Sequence, residues 1–344
     1  MIQRLELKDF TVFKSLEIDF SPGVNIFIGE NGTGKTHVLK FLYSVIASCF
    51  QKIHPGTKLN NVFKPEASIL RLVRRELVKP IYASFTVDTD SDAYAGEIFK
   101  SSSKPSLFSG FDKYLEQASD EKFLTRPIFI PTKELLADAA GFISLSREWK
   151  LTNSAVEVDF VSTVLLPPRQ TTNSFPISTA TLKQLQTAIG GQVVEEDQRF
   201  YIKDRTGLCE FSLSAEGHRR LAALLILIQK NLIDKDTILF WDEPENNMNP
   251  KLLMLLVEVL LELQRGGVQI FLATHSYVLL KLFDLLKQKK DHIQYHLLKF
   301  IMQENKKKKV EATRSDDYLG TTESAISEMY LKLYDMEIKR AFAK

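Results

Sequence analysis

The stretch GENGTGKT at residues 29–36 satisfies the spacing G-x-x-x-x-G-K-[ST]. Gly29, Gly32 and Gly34 let the backbone curl, so the N–H groups of the loop (Glu30, Asn31 and Thr33 included) turn inward toward phosphate oxygens. Lys35 supplies a mobile charge for the β and γ phosphates, and the Thr36 hydroxyl can ligate Mg²⁺. A helix starting here adds positive potential at its N-terminus. The stretch therefore predicts a nucleoside triphosphate held with Mg²⁺. A second constellation is FWDEPENNMNP at 240–250, where two adjacent carboxylates end an apolar run. At the carboxyl edge of a buried strand, Asp242 would face the phosphates and can hold Mg²⁺. Glu243, one residue on, points elsewhere and can polarise an attacking water. His275 closes another apolar run, VQIFLATHS, where its ring can touch a γ-phosphate and sense hydrolysis. Trp241 reads as core packing rather than as a nucleotide platform. HIQYH at 292–296 has two histidines at i,i+4, but the segment looks strand-like and lacks a third ligand, so no metal site is expected there.

Each of these groups needs an element to deliver it. VNIFIG at 24–29 reads as a short buried strand, and the sixteen residues from Lys35 have helical periodicity. Residues 2–20 alternate at period two and read as two strands closed by SPG. PIYASFTVD (80–88) and RPIFIP (126–131) read as further strands, and the polar stretch 88–106 between them as a loop. TKELLADAAGFISLS starts a helix. LPPRQTTNSFP then breaks a helical region with paired prolines. GGQVVEEDQRFYIKDRTGLCEFSLS reads as strands joined by turns, and AEGHRRLAALLILIQKNLI and residues 250–264 as helices. A helix follows Gly320. The expected organisation is α/β in three parts: 1–134 with the phosphate loop, a helical insertion at 135–190, and 191–344 with the carboxylate pair and His275.

Composition narrows the class. The 344 residues carry 45 Lys+Arg against 43 Asp+Glu, so any nucleic-acid contact must come from local patches. Candidates are RLVRREL (71–77), KQKK (287–290) and KKKK (306–309), each of which reads more readily as a solvated face or loop. Two cysteines, Cys49 and Cys209, without a CxxC pair, fit a reducing cytoplasm. The N-terminus lacks the apolar core of a signal peptide, and the longest apolar run, LAALLILI, is too short to span a bilayer, so no membrane partner is expected.

Taken together, the motifs resemble those of the ATP-binding-cassette (ABC) ATPase superfamily, in that family's order. LSAEGHRRLA (213–222) resembles its signature motif, WDEPENNMNP its Walker B and D-loop, and ATHS its His switch. The opening IQRLELKDFTVFKSLEIDFSPGVNIFIGENGTGKT resembles the heads of RecF, SMC-type and OLD-family proteins more than transporter subunits. IFIPTKELL resembles the strand–Pro–x–x–Glu segment of stand-alone OLD-like ATPases and stands at the family's Q-loop place. The resemblance implies a P-loop NTPase of ABC ATPase head type: a mixed sheet with N-terminal antiparallel strands and a helical insertion. It implies a signature acting in trans through Ser214, Glu216 and Gly217, and a D-loop containing Asn247 and Asn249. Two departures stand out. Ala215-Glu216 replaces the signature's paired glycines, and a carboxylate there would repel a γ-phosphate unless it points away or is paired. Asn249 stands where relatives carry an acid.

The resemblance implies a cytoplasmic Mg-dependent ATPase that forms a homodimer on ATP. Its expected setting is prokaryotic defence against phage or foreign DNA, with a separate effector encoded nearby. The short stretch after His275 leaves little room for the Toprim nuclease of full OLD proteins. A RecF-like DNA-repair ATPase that clamps DNA is the alternative. A transporter cassette fits the long segment between Thr36 and Ser214 poorly, and a non-catalytic nucleotide module leaves Glu243 without a task.

Overall fold

Three apolar runs are buried at every position and lie side by side. The computed structural model describes residues 1–66, 68–74, 82–99, 107–109, 125–148, 154–170, 177–302, 308–318 and 324–342. Its central sheet has the order β14-β13-β3-β12-β11-β7, with β3 (Val24–Gly29), β7 (Arg126–Ile130), β11 (Thr237–Asp242), β12 (Gln269–Thr274), β13 (Ile293–Met302) and β14 (Lys308–Ser315). All neighbours are parallel except the β13–β14 pair. Strands covered on both faces need continuous apolar sequence, which is why β3, β11 and β12 do not alternate.

Side chains from alternate positions feed two cores. Ile238, Phe240 and Phe271 point into the core that holds α1 (Lys35–Gln51). Leu239, Trp241 and Leu272 point into the other, against α6 (Glu216–Gln229), α7 (Pro250–Arg265) and α8 (Tyr277–Leu286). A second sheet, β2-β1-β4-β5-β6, covers the outer side of α1 with β1 (Ile2–Phe10), β2 (Phe13–Asp19), β4 (Tyr82–Thr89), β5 (Ala93–Phe99) and β6 (Leu107–Ser109). Phe41 of α1 meets Phe85 of β4 edge-on at 5.0 Å between ring centroids. A small sheet of β8 (Gln192–Glu196), β9 (Arg199–Lys203) and β10 (Leu208–Glu210) leads into α6. The helix α2 (Pro55–Phe63) follows α1. Between β7 and β8 stand α3 (Phe142–Glu148), α4 (Ala155–Val164) and α5 (Thr179–Ile189). α4 and α5 add Phe160, Val161, Val164, Leu185 and Ile189 to the second core. α9 (Ala325–Phe342) ends the described chain.

Two expectations need correction. Residues 93–99, read as loop from their polar surroundings, form β5 and pair antiparallel with β4. Their alternation is present, but small and polar residues occupy the outward positions, and only Gly96 and Ile98 are buried. Thr89 and Asp92 close the turn, with the Thr89 hydroxyl bonded to both N–H and C=O of Asp92. The helix expected from Thr132 is a single turn at Leu136–Asp138 and then α3, separated by Gly141 at φ 76°. No other residue type enters that left-handed region as freely.

Candidate nucleotide site

Parallel register brings the candidate residues to one edge. Thr274 lies opposite Ile28, and Asp242 opposite Ala273, so β3, β11 and β12 all end beside the phosphate loop. The loop depends on its glycines. Gly34 has φ 96°, and a Cβ there would meet Phe13 Cζ at 2.5 Å and Val12 Cγ2 at 2.8 Å. At Gly29 a Cβ would meet the Leu298 carbonyl oxygen at 2.3 Å. Thr33 is buried and its hydroxyl donates to the Glu30 carbonyl at 2.8 Å, which tightens the curl. Glu30, Asn31 and Gly32 form the exposed rim. Lys35 is buried, its Nζ donating to the carbonyls of Gly29 at 2.8 Å and Glu30 at 3.0 Å. Burial pushes its ammonium down to about 8, against the opposing pull of Asp242, Glu243 and Glu245.

The Thr36 hydroxyl meets the Asp242 carboxylate at 3.0 and 3.2 Å, and the Thr132 hydroxyl meets it at 3.3 Å. Burial pushes the Asp242 carboxyl up. Three hard oxygen groups thus converge beside the phosphate cradle. This donor set fits Mg²⁺, which takes one or two protein oxygens and completes its shell with water and phosphate.

Glu243 leaves β11 at φ 50°, so its side chain departs from the direction of Asp242. Its N–H donates to the Ala273 carbonyl at 2.9 Å. Its Oε2 accepts from Asn246 Nδ2 at 2.7 Å, and its Oε1 lies 3.9 Å from His275 Nε2. Burial, and then the Lys35 charge, lower the His275 ring, which favours its neutral form. The end of β12 is held by Glu245, whose Oε1 accepts from the Thr274 hydroxyl at 2.6 Å and from the His275 N–H at 2.9 Å.

The signature and D-loop residues meet inside one chain. Glu216 opens α6, 3.4 Å from Arg220 Nε. A hydrogen bond from Asn247, helped by Arg220, holds its carboxyl below the usual range. The carboxylate is therefore paired, as its position demands. Gly217 lies against the D-loop, and a Cβ on it would meet the Asn247 carbonyl oxygen at 2.6 Å. Ser214 is half-exposed beside Leu213, which is 78% exposed. Asn249 is the N-cap of α7, accepting from the Leu252 N–H at 3.0 Å.

Several groups were not singled out from sequence. Thr132 lies two residues past the end of β7, and Asn246 and Glu245 lie within the D-loop stretch, but no spacing rule marks their partners. Glu134 of the Pro–x–x–Glu segment pairs with Arg219 at 2.7 Å, and Arg219 in turn donates to the Ser214 carbonyl at 2.5 Å. Trp241 is fully buried in the core. His296 stacks on Phe27 and is buried, and no cluster of three metal-ligating side chains occurs among the described residues. In the first basic stretch Arg74 is buried and donates to the Val12 carbonyl; residues 75–77 of that stretch, and 306–307 of the lysine run, lie outside the described residues. No helix among the described residues is long and apolar enough to cross a membrane.

A cleft of about 400 Å³ opens beside the phosphate loop, lined by Thr11, Val12, His37, Arg74, Phe300 and Lys308, among others. The Phe300 ring stands 3.8 Å from where a Cβ on Gly32 would lie. Thr11 Oγ1 and His37 Nδ1 are both buried without a hydrogen-bond partner.

Residues 1–140 match a family model described as an AAA ATPase domain. Residues 191–281 match one described as an AAA domain, putative AbiEii toxin, type IV TA system. The DNA replication and repair protein RecF of Streptococcus suis is 34% identical over 74 residues, 22% of this chain and 20% of that protein. An ATP/GTP phosphatase of Helicobacter pylori is 18% identical over 337 residues, covering 85% of this chain and 90% of that one. The SMC head domain from Thermotoga maritima superposes with a TM-score of 0.50 at 14% identity, over 91% of this chain and 98% of that chain. An SMC head bound to the C-terminal winged-helix domain of ScpA gives 0.53 at 13% identity, over 91% and 97%. The sequence matches are to AAA-family ATPase domains, and the fold is that of the SMC head domains, a P-loop ATPase head.

Proposed function

We propose that this chain binds ATP with Mg²⁺ at residues 29–36 and hydrolyses it, as a switch that closes into a homodimer on ATP. The observation that carries this reading is the approach of the Thr36 hydroxyl to the Asp242 carboxylate, with Lys35, Glu243 and His275 around the same opening. Loop N–H groups and the Lys35 ammonium bind the β and γ phosphates. Thr36 and Asp242, with Thr132 behind them, would hold the metal, which neutralises phosphate charge when bound. Glu243 accepts a proton from water as it attacks, and the neutral His275 ring orients at the γ position. The cleft walled by Phe300 and His37 takes the base and ribose, which gives Thr11 and His37 the partners they lack.

The wider setting we propose is the ATPase component of a prokaryotic system against phage or foreign DNA, with a separate effector. The AbiEii-type match supports it. RecF similarity favours a second reading, a DNA-clamping repair ATPase, although the match covers only a fifth of that protein. Salt-dependent binding of duplex DNA by the purified chain would select the second. For the chemistry, Glu243→Gln should retain ATP binding and lose roughly 10²–10⁴-fold in turnover, the typical loss of a general base. Unchanged phosphate release by this variant would move the base to another residue.

A further inference from the structure

The helix α9 is fixed to the body at its first turn and uncovered beyond it. Its start is capped by Ser324, whose hydroxyl oxygen accepts from the Ser327 N–H at 3.2 Å, and both residues are buried. Tyr330 stacks on Tyr277 at 4.1 Å between ring centroids. Tyr277 opens α8 two residues after His275, so α9 is rooted beside the nucleotide opening. From Glu328 onward every described residue of α9 is exposed. Yet Tyr330, Leu333, Tyr334 and Ile338 follow the i, i+3, i+4, i+8 spacing of a face made for burial. Phe342 continues that face at 87% exposure, and Met329, Leu331 and Met336 flank it. Glu328, Lys332, Asp335 and Lys339 form a polar stripe on the opposite side of the helix. We propose that the apolar face of α9 packs antiparallel on α9 of a second copy when two heads close on ATP. This rests on the reading of the chain as an ATP-closed homodimer.

Three observations name a second copy as the occupant. The charges of α9 balance, with Glu328, Asp335 and Glu337 against Lys332, Lys339 and Arg340. Such a helix gains little from an anionic membrane or from a strongly charged partner. The charges are also ordered, with Glu328 in the first turn and Lys339 and Arg340 in the last. A two-fold axis across the helix sets the acid of each copy beside the bases of the other, and it opposes the two helix dipoles. The root supplies the third observation. The proposed closure brings a partner to the edge where His275 follows β12, and Tyr277 carries α9 from that same edge. Area then decides when the pair forms. The apolar arc is wide, and one neighbouring helix covers about 400 Å² of it on each copy, half of the ~800 Å² that each partner supplies to a stable interface. Alone, α9 falls short of a stable pair. It holds two copies together only in concert with the ATP-bridged surfaces.

Sedimentation of the Glu243→Gln chain with ATP and Mg²⁺ tests this, because that variant keeps the closed pair. Adding Tyr334→Glu and Ile338→Glu should raise the dimer dissociation constant about tenfold or more and leave ATP affinity within about twofold, as charge replaces apolar contact far from the phosphates. Far-ultraviolet circular dichroism should not change. Glu328→Lys should weaken the dimer several-fold, and so should Lys339→Glu/Arg340→Glu, whereas the two sets combined should restore it. Without nucleotide all of these proteins should be monomers. An unchanged dimer in Tyr334→Glu/Ile338→Glu overturns the proposal and leaves α9 to a different protein. Charge reversals that add instead of cancelling overturn the antiparallel pairing. A dimer that persists without nucleotide overturns the joint closure. A Glu243→Gln chain that stays monomeric in ATP is a different failure, that of the switch itself, and the pairing of α9 falls with it.

Discussion

Lys35 shows how much one residue's surroundings decide. Its ammonium donates to two carbonyls and sits in a buried place that depresses it to about 8. Phosphate oxygens favour the charged form, so bound nucleotide raises that value again. The linkage then has one sign: ATP affinity is full below about pH 8 and weakens as pH rises above it, by up to about tenfold per unit. Calorimetric titration from pH 7 to 9.5 should show this, and a flat affinity would contradict the burial of the charge. Lys35→Ala should remove tight binding at every pH. Phe300 makes a separate statement about the base. Stacking on an aromatic ring contributes about 1–3 kcal/mol per base, so Phe300→Ala should weaken ATP about tenfold or more and leave inorganic tripolyphosphate unchanged. Equal losses for both ligands would place Phe300 in the loop's support rather than at the base. Lys35, Thr36 and Asp242 were legible in the sequence because their spacing is the chemistry. Thr132, Asn246 and Phe300 were not, because what matters in each is a partner far away in the chain or a cleft formed by several segments.

Elements were legible where both faces are covered or where a cap is written into the sequence. β3, β11 and β12 are short apolar runs bounded by turns, and all three form. β5 was missed because its outward face is small and polar, and its register comes from β4 rather than from its own pattern. Asn249 illustrates the opposite limit. From sequence Asn249 stands out only as a neutral residue where relatives carry an acid, with no role of its own; in the fold its oxygen caps α7 at Leu252 N–H. An asparagine and an aspartate cap about equally well, so no charge is needed there. Asn249→Ala should therefore destabilise the fold by about 1 kcal/mol, with a range of about 0.5–2, and Asn249→Asp should stay close to wild type. Urea titration followed by far-ultraviolet circular dichroism reads both. An alanine variant as stable as wild type would return Asn249 to a role outside its own helix.

At the scale of the molecule, one site is only half of what the proposed switch requires. The signature segment presents half-exposed Ser214 beside Leu213, with Leu208 at 49% exposure on the neighbouring strand. Apolar side chains so exposed at a helix start that offers unbonded N–H groups suit closure on a second copy. In the proposed head-to-tail dimer, the phosphate loop of one subunit closes against Ser214 and Gly217 of the other, and each ATP bridges both chains. Hydrolysis removes the bridging γ-phosphate and opens the pair, which turns chemistry into motion. Glu243→Gln should then accumulate as a dimer in ATP and Mg²⁺, since binding persists while the bridge is not cut. Ser214→Arg places bulk and charge in the closing surface without touching Lys35. It should retain ATP binding, lose the dimer and lose turnover together. Light scattering of both variants with and without ATP reads the assembly, and phosphate release reads the chemistry. If Ser214→Arg dimerises and hydrolyses as wild type does, residues 213–220 are only a helix start, and the partner surface must be sought on another face.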